Sequence, residues 1–336
     1  MKSKRIQMDH GAGGRASHDL VATTFIPALA NPILKELNDS ALINFDEVRL
    51  AISTDSYVVN PIFFPGGDIG SLAVHGTVND LAMRGAQPRY LSVGFILEEG
   101  LEIADLERLV TSMAQAAREA SVEVVAADTK VVERGKADRV FINTAGVGII
   151  AAGVDIAGQN AKPGDFVLLN GPVGDHGIAV LSTREGLSFQ TNIQSDSAPL
   201  NGLVSDMLEV SRNIHVLRDP TRGGVATALN EVATQSAVGI ELEESKLPVR
   251  PEVKAACEML GLDPLYVANE GKVLVLVAPE DADLVLNKMR QHPLGRESCA
   301  IGKVVSAHPG RVVLQTGVGG HRIVDMLSGE QLPRIC

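Results

Sequence analysis

Hydrophobic and polar positions follow two different periods along the first half of the chain. A period of two residues predicts strands at VRLAIS (48–53), VEVVAA (122–127) and RVFINTAGVGII (139–150). A period near 3.6 residues predicts helices over roughly 69–84 and 102–120. Because these strands alternate rather than run continuously apolar, they favour a mixed sheet with one covered face over a doubly wound parallel sheet.

The second half of the chain repeats the alternation of strands and helices. Turn residues followed by a short apolar run at 159–171 predict a loop and then a buried strand. Glycine loops open two predicted helices within 171–186 and 221–236, and a strand within 272–279 is followed by a helix within 280–291. We therefore predict an α/β protein of α+β character, with mixed sheets covered by helices.

The length of the chain, 336 residues, suits two domains of about 150 residues each. We place an N-terminal domain at 1–155, a C-terminal α/β domain at 156–324 and a tail at 325–336. The tail has no hydrophobic periodicity and is predicted to be flexible. Fully extended, its residues would span at most about 40 Å, so the tail could act as a moving arm.

The composition excludes several classes of function. Tryptophan is absent, aromatic residues make up 3% and the net charge is −11, so neither base stacking nor a basic surface supports nucleic-acid binding. No apolar run is long enough to predict a membrane span, and the first residues lack the apolar core of a signal peptide. We expect a cytoplasmic protein, in which any phosphate ligand would need a divalent cation to offset the acidic charge.

The chain has three cysteines, Cys257, Cys299 and Cys336. Their odd number and wide spacing exclude a disulfide framework and a cysteine zinc site, and they fit a reducing compartment. Cys257 and Cys299 lie in apolar surroundings and are predicted to be small buried hydrophobic residues. Cys336 is different, because it is a reactive thiol at the very end of a tail.

Three carboxylates occupy positions that suit metal binding. Asp55 and Asp128 each follow a predicted strand, and Asp80 lies in the first predicted helix. Hard cations such as Mg²⁺ take oxygen ligands, so carboxylates that converge on one cleft would bind Mg²⁺ and a phosphate. Taken singly, each is more simply interpreted as a turn or cap residue. Convergence in space would decide between the two interpretations.

Two further charged residues are candidates for catalysis. Lys130 is two residues beyond Asp128, so on a continuing strand both side chains would lie on the same face. There it could stabilise negative charge on a phosphate, or simply form an ion pair in solvent. Glu270 precedes a predicted strand, where it could be a base or a metal ligand, although a plain strand-edge glutamate is the simpler interpretation.

Two glycine loops, DHGAGGR and GPVGDHG, could present backbone N–H groups to an anion or could be tight turns. The first loop contains Gly11, Gly13 and Gly14. Neither loop matches the P-loop pattern, so any ATP site would be of another kind. The histidines of these loops, His10 and His176, are interpreted as incidental, which is the usual status of lone loop histidines.

Together these stretches resemble the HypE family, the carbamoyl dehydratases of nickel–iron hydrogenase maturation. The resemblance runs the length of the chain and is carried by DHGAGG (9–14), 53–86, AADTKVVERGKAD (126–138), 165–180, RDPTRGGVATALNE (218–231), ANEGK (268–272) and the terminal PRIC. The terminal cysteine is the most discriminating feature. Aminoimidazole ribonucleotide synthetase, selenophosphate synthetase and thiamine-monophosphate kinase are similar in their loops but lack that tail.

The resemblance implies a two-domain fold of the aminoimidazole ribonucleotide synthetase type and a homodimer formed by the N-terminal domains. It also implies an ATP site in a cleft near the dimer interface, with the glycines of the first loop among the nucleotide-binding residues. By the same resemblance, Asp55, Asp80 and Asp128 would bind Mg²⁺ and the ATP phosphates. Lys130 and Glu270 would lie near the tail cysteine as catalytic groups.

The chemistry that the resemblance implies begins with a carbamoyl group, which the partner HypF transfers to Cys336. The amide oxygen would then attack the γ-phosphorus of ATP, and a base would remove the remaining N–H proton as phosphate leaves, giving S–C≡N. Glu270 is the preferred base and Lys130 the electrostatic partner. The cyanide would pass to iron held by a HypC–HypD complex, so the tail needs a buried and an exposed state.

Two alternatives remain at the level of the sequence. The chain could be an ATP-dependent small-molecule phosphotransferase of the same superfamily, with an incidental cysteine. It could instead be a non-catalytic thiol carrier whose tail ferries a group.

Overall fold

The computed structural model describes residues 6–29, 31–186, 193–329, 331–332 and 334–336. Its α-helices are α1 Arg15–Leu20, α2 Ile26–Leu29, α3 Ile69–Met83, α4 Ile103–Glu119, α5 Asp175–Arg184, α6 Asn201–Val210, α7 Gly224–Gln235, α8 Pro251–Leu260 and α9 Ala282–Gln291. Its strands are β1 Ala41–Phe45, β2 Val48–Tyr57, β3 Phe63–Phe64, β4 Gly67–Asp68, β5 Ala86–Glu98, β6 Glu123–Val132, β7 Val140–Ile150, β8 Phe166–Leu169, β9 Ile214–Arg218, β10 Gly239–Glu243, β11 Leu274–Val277, β12 Cys299–Val305, β13 Arg311–Gln315 and β14 His321–Val324.

The first sheet has the order β1-β2-β7-β5-β6. Strands β5 and β6 run parallel and the other neighbours run antiparallel, so the sheet is mixed, as the alternating pattern predicts. Helix α3 packs on one face of this sheet and is buried along almost its whole length. The Asp68 carboxylate caps α3 by accepting hydrogen bonds from the N–H groups of Gly70 and Ser71, at 2.8 and 3.0 Å.

Helix α4 covers α3 from outside with an amphipathic face. Its buried residues are Leu109, Met113, Ala116 and Ala117, which recur at helical spacing. The opposite face of the first sheet is open in this chain, and the outer strand β6 is exposed along nearly its whole length. A long exposed edge strand is a position at which another chain commonly pairs.

The second sheet has the order β14-β13-β10-β12-β8-β11-β9 and is also mixed, because β10 and β13 are parallel. The central strands β8 (FVLL) and β11 (LVLV) are continuously apolar and almost wholly buried, since both faces of the sheet are covered there. Helix α7 packs on this sheet with its apolar residues in the same core as β8 and β11.

The predicted elements and the fold class are confirmed, with two local corrections. The first glycine loop, DHGAGGR, leads directly into helix α1, which the hydrophobic pattern did not predict. Asp55 and Asp128 lie inside strands β2 and β6 rather than after them, because both strands continue beyond the predicted ends. The two large sheets occupy 41–150 and 166–324, while the domain limits at 155 and 324 stay a prediction.

The C-terminal tail contains no helix or strand among its described residues; Glu330 and Pro333 lie outside them. It leaves β14 along the C-terminal domain, where the Asp325 carbonyl accepts a hydrogen bond of 2.9 Å from the Tyr266 hydroxyl. It then reaches the N-terminal domain, where Ile335 is 3% exposed and belongs to the core. The tail therefore contacts both domains. No described helix is long and apolar enough to cross a membrane.

Candidate active site

The end of the tail pairs with the segment that continues β2. The N–H of Val58 donates to the Cys336 main-chain oxygen at 3.1 Å, and the N–H of Asn60 donates to the Arg334 carbonyl at 3.2 Å. With Ile335 buried between them, these bonds place the Cys336 side chain beside a cavity of about 300 Å³. The terminal thiol is thus held at the wall of this cavity, with Cys336 partly buried.

Two arginines reinforce this docked position. The Arg334 guanidinium donates to the Val58 carbonyl at 3.0 and 3.1 Å and forms an ion pair with Asp138. Arg184, at the end of α5, donates to the Arg334 carbonyl at 2.6 Å and to the Asn60 carbonyl at 2.7 Å. Bonds from charged donors are stronger than neutral ones, so the tail is held by more than apolar burial.

The surroundings of Cys336 keep its thiol protonated. Burial raises the pKa of this thiol to about 12; nearby Arg222 acts in the opposite direction, and the carboxylates of Glu270 and Asp55 add to the rise. Arg222, which donates to the Gly11 carbonyl at 3.1 Å, has its own pKa raised, first by the charge that Cys336 carries as a thiolate. The cysteine therefore lies between one cation and several acids.

Glu270 is the buried acid of this cleft. Glu270 is only 3% exposed, and its Oε1 has no hydrogen-bond partner among the described residues. Burial, followed by the charges of Asp219 and Asp196, raises its pKa well above the usual value. A carboxyl group with a raised pKa is a better proton acceptor once ionised, which suits a general base.

Four aspartates form the carboxylate cluster of the cleft, which comprises Asp39, Asp55, Asp80 and Asp219. Burial raises the pKa of Asp80 well above its usual range, and the charges of Asp219 and Asp55 add to this, although Ser53 donates a hydrogen bond of 2.6 Å to it. Burial and Asp39 raise the pKa of Asp219 to about 7. These carboxylates repel one another, so a bound cation would relieve the repulsion.

The cluster is looser than a complete set of protein ligands. Within the described ranges, no three His, Cys, Asp or Glu side chains are placed so that they could hold one ion. Waters and phosphate oxygens would have to complete the coordination, which is the usual arrangement for Mg²⁺ bound together with a nucleotide.

The expectation that Asp128 joins Asp55 and Asp80 is not met within one chain. Asp128 lies on β6, separated from β2 by β7 and β5, which corresponds to about 14 Å across the sheet. It is 73% exposed and forms an ion pair of 2.7 Å with Lys130, which is 69% exposed. The two side chains share a face, as predicted, but in this chain Lys130 is paired in solvent and lies away from Cys336.

The N-terminal glycine loop packs against Arg222 and the first residues of the tail. A Cβ on Gly13 would approach the Arg222 Cβ to 2.9 Å, and a Cβ on Gly14 would approach the Leu327 carbonyl to 2.2 Å. The close packing explains glycine at both positions. The Gly13 N–H donates to Ser17 Oγ at 3.0 Å, so it is already bonded. Nucleotide binding by Gly11, Gly13 and Gly14 stays a prediction.

Five residues of the cleft were not assigned a role from the sequence: Asp39, His176, Asp196, Asp219 and Arg222. Asp219 and Arg222 belong to RDPTRGG, which leads from the end of β9 into α7, and this strand-to-helix position was the available signal. His176 was interpreted as incidental, yet it bonds to the tail. Asp196 carried no signal at all, because its partners lie about seventy-five residues further along the chain.

Comparison with known proteins gives a consistent picture. Models of the AIR synthase related protein family match residues 37–150 (N-terminal domain) and 162–315 (C-terminal domain). The chain is 57% identical to carbamoyl dehydratase HypE of Cupriavidus necator over 100% of this chain and 96% of that protein. It is 46% identical to carbamoyl dehydratase HypE of Escherichia coli over 98% of this chain and 99% of that protein.

Solved structures of HypE proteins are also similar to this chain. A HypE–HypF complex matches with a TM-score of 0.88 at 49% identity, over 92% of this chain and 99% of the other. HypE in complex with ATP matches with a TM-score of 0.83 at 53% identity, over 99% and 100%. Thiamine monophosphate kinase of Aquifex aeolicus shares the fold, with a TM-score of 0.66 at 19% identity over 94% and 100%.

Proposed function

The chain belongs to the HypE family of carbamoyl dehydratases, and we propose that it dehydrates a carbamoyl group carried on its own Cys336. The observation that carries this proposal is the docked tail, which places a terminal thiol beside the buried acid Glu270 and beside Arg222. A free-substrate kinase has no need to hold its own C-terminal thiol in its cleft.

The proposed reaction balances as follows. HypF carbamoylates the thiol, giving S–C(=O)–NH₂. The amide oxygen attacks the γ-phosphorus of ATP, ADP leaves, and loss of one N–H proton gives an imidate phosphate. Removal of the second N–H proton breaks the C–O bond, phosphate leaves, and S–C≡N remains. The sum is one ATP consumed, with the oxygen of the carbamoyl group ending in phosphate.

We assign Glu270 as the base for the N–H protons. Its unpartnered Oε1 is free to accept a proton, and its raised pKa makes the carboxylate more basic. Arg222 would offset negative charge as the phosphate leaves, because it is the cation that acts on Cys336 most strongly.

Asp55, Asp80 and Asp219 would hold Mg²⁺ together with ATP. Their oxygens are the hard ligands that this cation takes, and their pKa values are raised first by burial and then by one another's charge, so a bound cation would favour their ionised forms. Bound at this position, Mg²⁺ would neutralise charge on the phosphates. Asp128 would contribute only if a second copy of the chain brought it to the cleft.

A homodimer would supply that second copy. The exposed strand β6 carries Val124, Val125 and Val131, which are 41, 60 and 68% exposed, an apolar edge suited to pairing. We propose that the N-terminal domains associate along this edge strand. In that arrangement, Asp128 and Lys130 of one subunit serve the cleft of the other.

The docked tail would be the dehydrating state, and a released tail the loading and delivery state. Release would present Cys336 to HypF and later to a HypC–HypD complex whose iron accepts the cyanide. A free thiol that must stay reduced between steps fits the cytoplasm.

Mass spectrometry of the carbamoylated protein tests the proposal. With ATP and Mg²⁺, the peptide that carries Cys336 should lose one water, and the Cys336→Ala variant should give no such product. Cys299→Ala is the matched control, since Cys299 is also a free cysteine but lies away from the cleft. An unchanged mass would favour a thiol carrier, and phosphate on a free small molecule would favour a phosphotransferase; either result overturns the proposal.

A further inference from the structure

A short irregular segment between α5 and α6 connects the tail to the base. This segment, Ser195–Asp196–Ser197, is called the SDS segment below. The Ser195 N–H donates to the Pro65 carbonyl of the N-terminal domain at 2.8 Å, so the segment is anchored across the two domains. Its side chains bond to His176, which in turn bonds to the tail, and to the Glu270 loop.

The SDS segment is linked to the tail through His176, which is fully buried. His176 Nε2 lies 2.8 Å from the Ile335 carbonyl and Nδ1 lies 2.8 Å from Ser195 Oγ. Because a carbonyl only accepts, Nε2 carries the proton, and Nδ1 accepts from the serine hydroxyl. Burial lowers the pKa of His176, which keeps the ring neutral in this single tautomer. The carbonyl that it holds is directly bonded to the nitrogen of Cys336.

The connection to Glu270, the proposed base, runs through Asp196, whose side chain is 5% exposed. Its carboxylate accepts from the N–H groups of Glu270 at 3.3 Å and Gly271 at 3.1 Å, and from Lys272 Nζ at 2.9 Å. Burial opposes ionisation, but Lys272 and the other groups around the carboxylate together outweigh it, so the pKa of Asp196 is held below its usual value. Three donors on one charged acceptor fix the backbone from which the Glu270 side chain projects.

We propose that the SDS segment is a positioning element for the dehydration. Through Ser195 and His176 it holds the backbone next to Cys336, and through Asp196 it holds the backbone of Glu270. The same three residues therefore fix the positions of both reacting groups, Cys336 and Glu270. The catalytic meaning of this arrangement rests on the proposed function, whereas the clamp on the tail is a property of the unreacted protein.

Thiol protection tests the clamp without ATP or carbamoylation. The full-length protein is treated with iodoacetamide, and alkylation of Cys336 is followed in the peptide released by cleavage after Glu330. Loss of one hydrogen bond should raise the alkylation rate about five- to tenfold in His176→Phe and in Ser195→Ala. His176→Gln, which keeps a donor in place of Nε2, should restore protection.

The control for that experiment lies on the same helix. Ser182 bonds within α5 to the Ile178 carbonyl at 2.7 Å, so Ser182→Ala should leave the alkylation rate unchanged. Combining His176→Phe with Ser195→Ala should add little beyond either change, because the two residues act in series. Equal protection in both single variants and the wild type would overturn the clamp, and so would a failure of His176→Gln to restore it.

Single-turnover dehydration tests the second part of the proposal, that Asp196 positions Glu270. Asp196→Asn keeps an acceptor but loses the ion pair to Lys272, so the single-turnover rate constant at saturating ATP should fall about ten- to a hundredfold, with little change in the ATP concentration that gives half of the maximal rate. Asp165→Asn is the matched control, since Asp165 is an equally buried carboxylate that pairs with His215 at 2.8 Å elsewhere. If both variants lose stability and activity in parallel, Asp196 is only structural. If the wild type itself does not dehydrate, the proposed function fails while the protection data still decide the clamp.

Discussion

The N–H of Val58 donates a hydrogen bond of 3.1 Å to the main-chain oxygen of Cys336. This bond joins the last residue of the chain to the continuation of a strand near its beginning. It shows that the reactive thiol is presented by the tail as if the tail were one more short strand of the first sheet. Release of the thiol therefore requires breaking a defined set of hydrogen bonds.

Arg334→Ala should weaken the docked tail. The variant loses the charge-assisted bonds to the Val58 carbonyl and the ion pair with Asp138, so alkylation of Cys336 should accelerate about tenfold. Arg322→Ala is the control, since Arg322 pairs with Asp263 away from the cleft. An unchanged alkylation rate would show that the arginine does not hold the tail.

The pH dependence of Cys336 alkylation should differ from that of a free thiol. In the docked state the pKa is raised from 9.0 to about 12, so the docked tail retains its proton where a released tail loses it. Docking is therefore fully favourable below pH 9 and weakens as the pH rises toward 12. The measured rate should keep rising above pH 9, where the rate of a free thiol levels off. A plateau at pH 9 would contradict the prediction.

Glu270→Gln should lower the rate of dehydration while raising the stability of the fold. Dehydration should fall about a hundredfold or more, because the base is lost. Stability should rise, because the pKa of Glu270 is higher in the folded protein than its usual 4.5, so ionisation at neutral pH disfavours the fold. The melting temperature should increase by about 2–4 °C at pH 7.5, and the gain should vanish below pH 4. A lower melting temperature at pH 7.5 would contradict this assignment.

A mixed dimer tests which subunit supplies Lys130. Asp80→Asn and Lys130→Ala should each abolish dehydration as homodimers. In a dimer of one copy of each, purified with two different tags, one cleft has an intact Asp80 and faces an intact Lys130 from its partner. That dimer should regain about half of the wild-type activity. A mixed dimer as inactive as its parents would show that Lys130 does not act across the interface.

Val125→Lys should prevent association through β6. Val125 is 60% exposed on this edge strand, and a charge at an edge position opposes pairing of strands. Sedimentation should then show a monomer with an unchanged circular dichroism spectrum. Val318→Lys, on a residue that is 97% exposed at a distant turn, should leave the oligomeric state unaltered. A dimeric Val125→Lys variant would place the interface elsewhere.

Much of this molecule was predictable from the pattern of residues along the chain. The helices at Ile69–Met83 and Ile103–Glu119 match the predicted ranges within one residue at each end, because amphipathic periodicity is a local property. The motif resemblance identified the family and directed attention to Cys336 and Glu270. Both residues lie in one cleft, although the residue pattern alone favoured a plain strand-edge glutamate for Glu270 and marked Cys336 only as an unusual terminal thiol.

Other features could not be read from local pattern. Asp128 looked equivalent to Asp55 because each continues an apolar strand, yet three strand spacings separate them. His176 looked incidental because its partners, Ser195 and Ile335, come from later parts of the chain. Contacts of this kind depend on strand order and burial, which no short stretch of sequence contains.

The sequence by itself determined the elements, the mixed sheets, the family and the terminal thiol, since periodicity and motifs act over a few neighbouring residues. Only the tertiary structure decided that the tail docks beside Val58, that Asp219 and Arg222 join the cleft, and that Lys130 faces solvent within one chain. The physical reason is that pKa shifts and hydrogen bonds arise from groups brought together by folding. Position along the chain does not determine which groups those are.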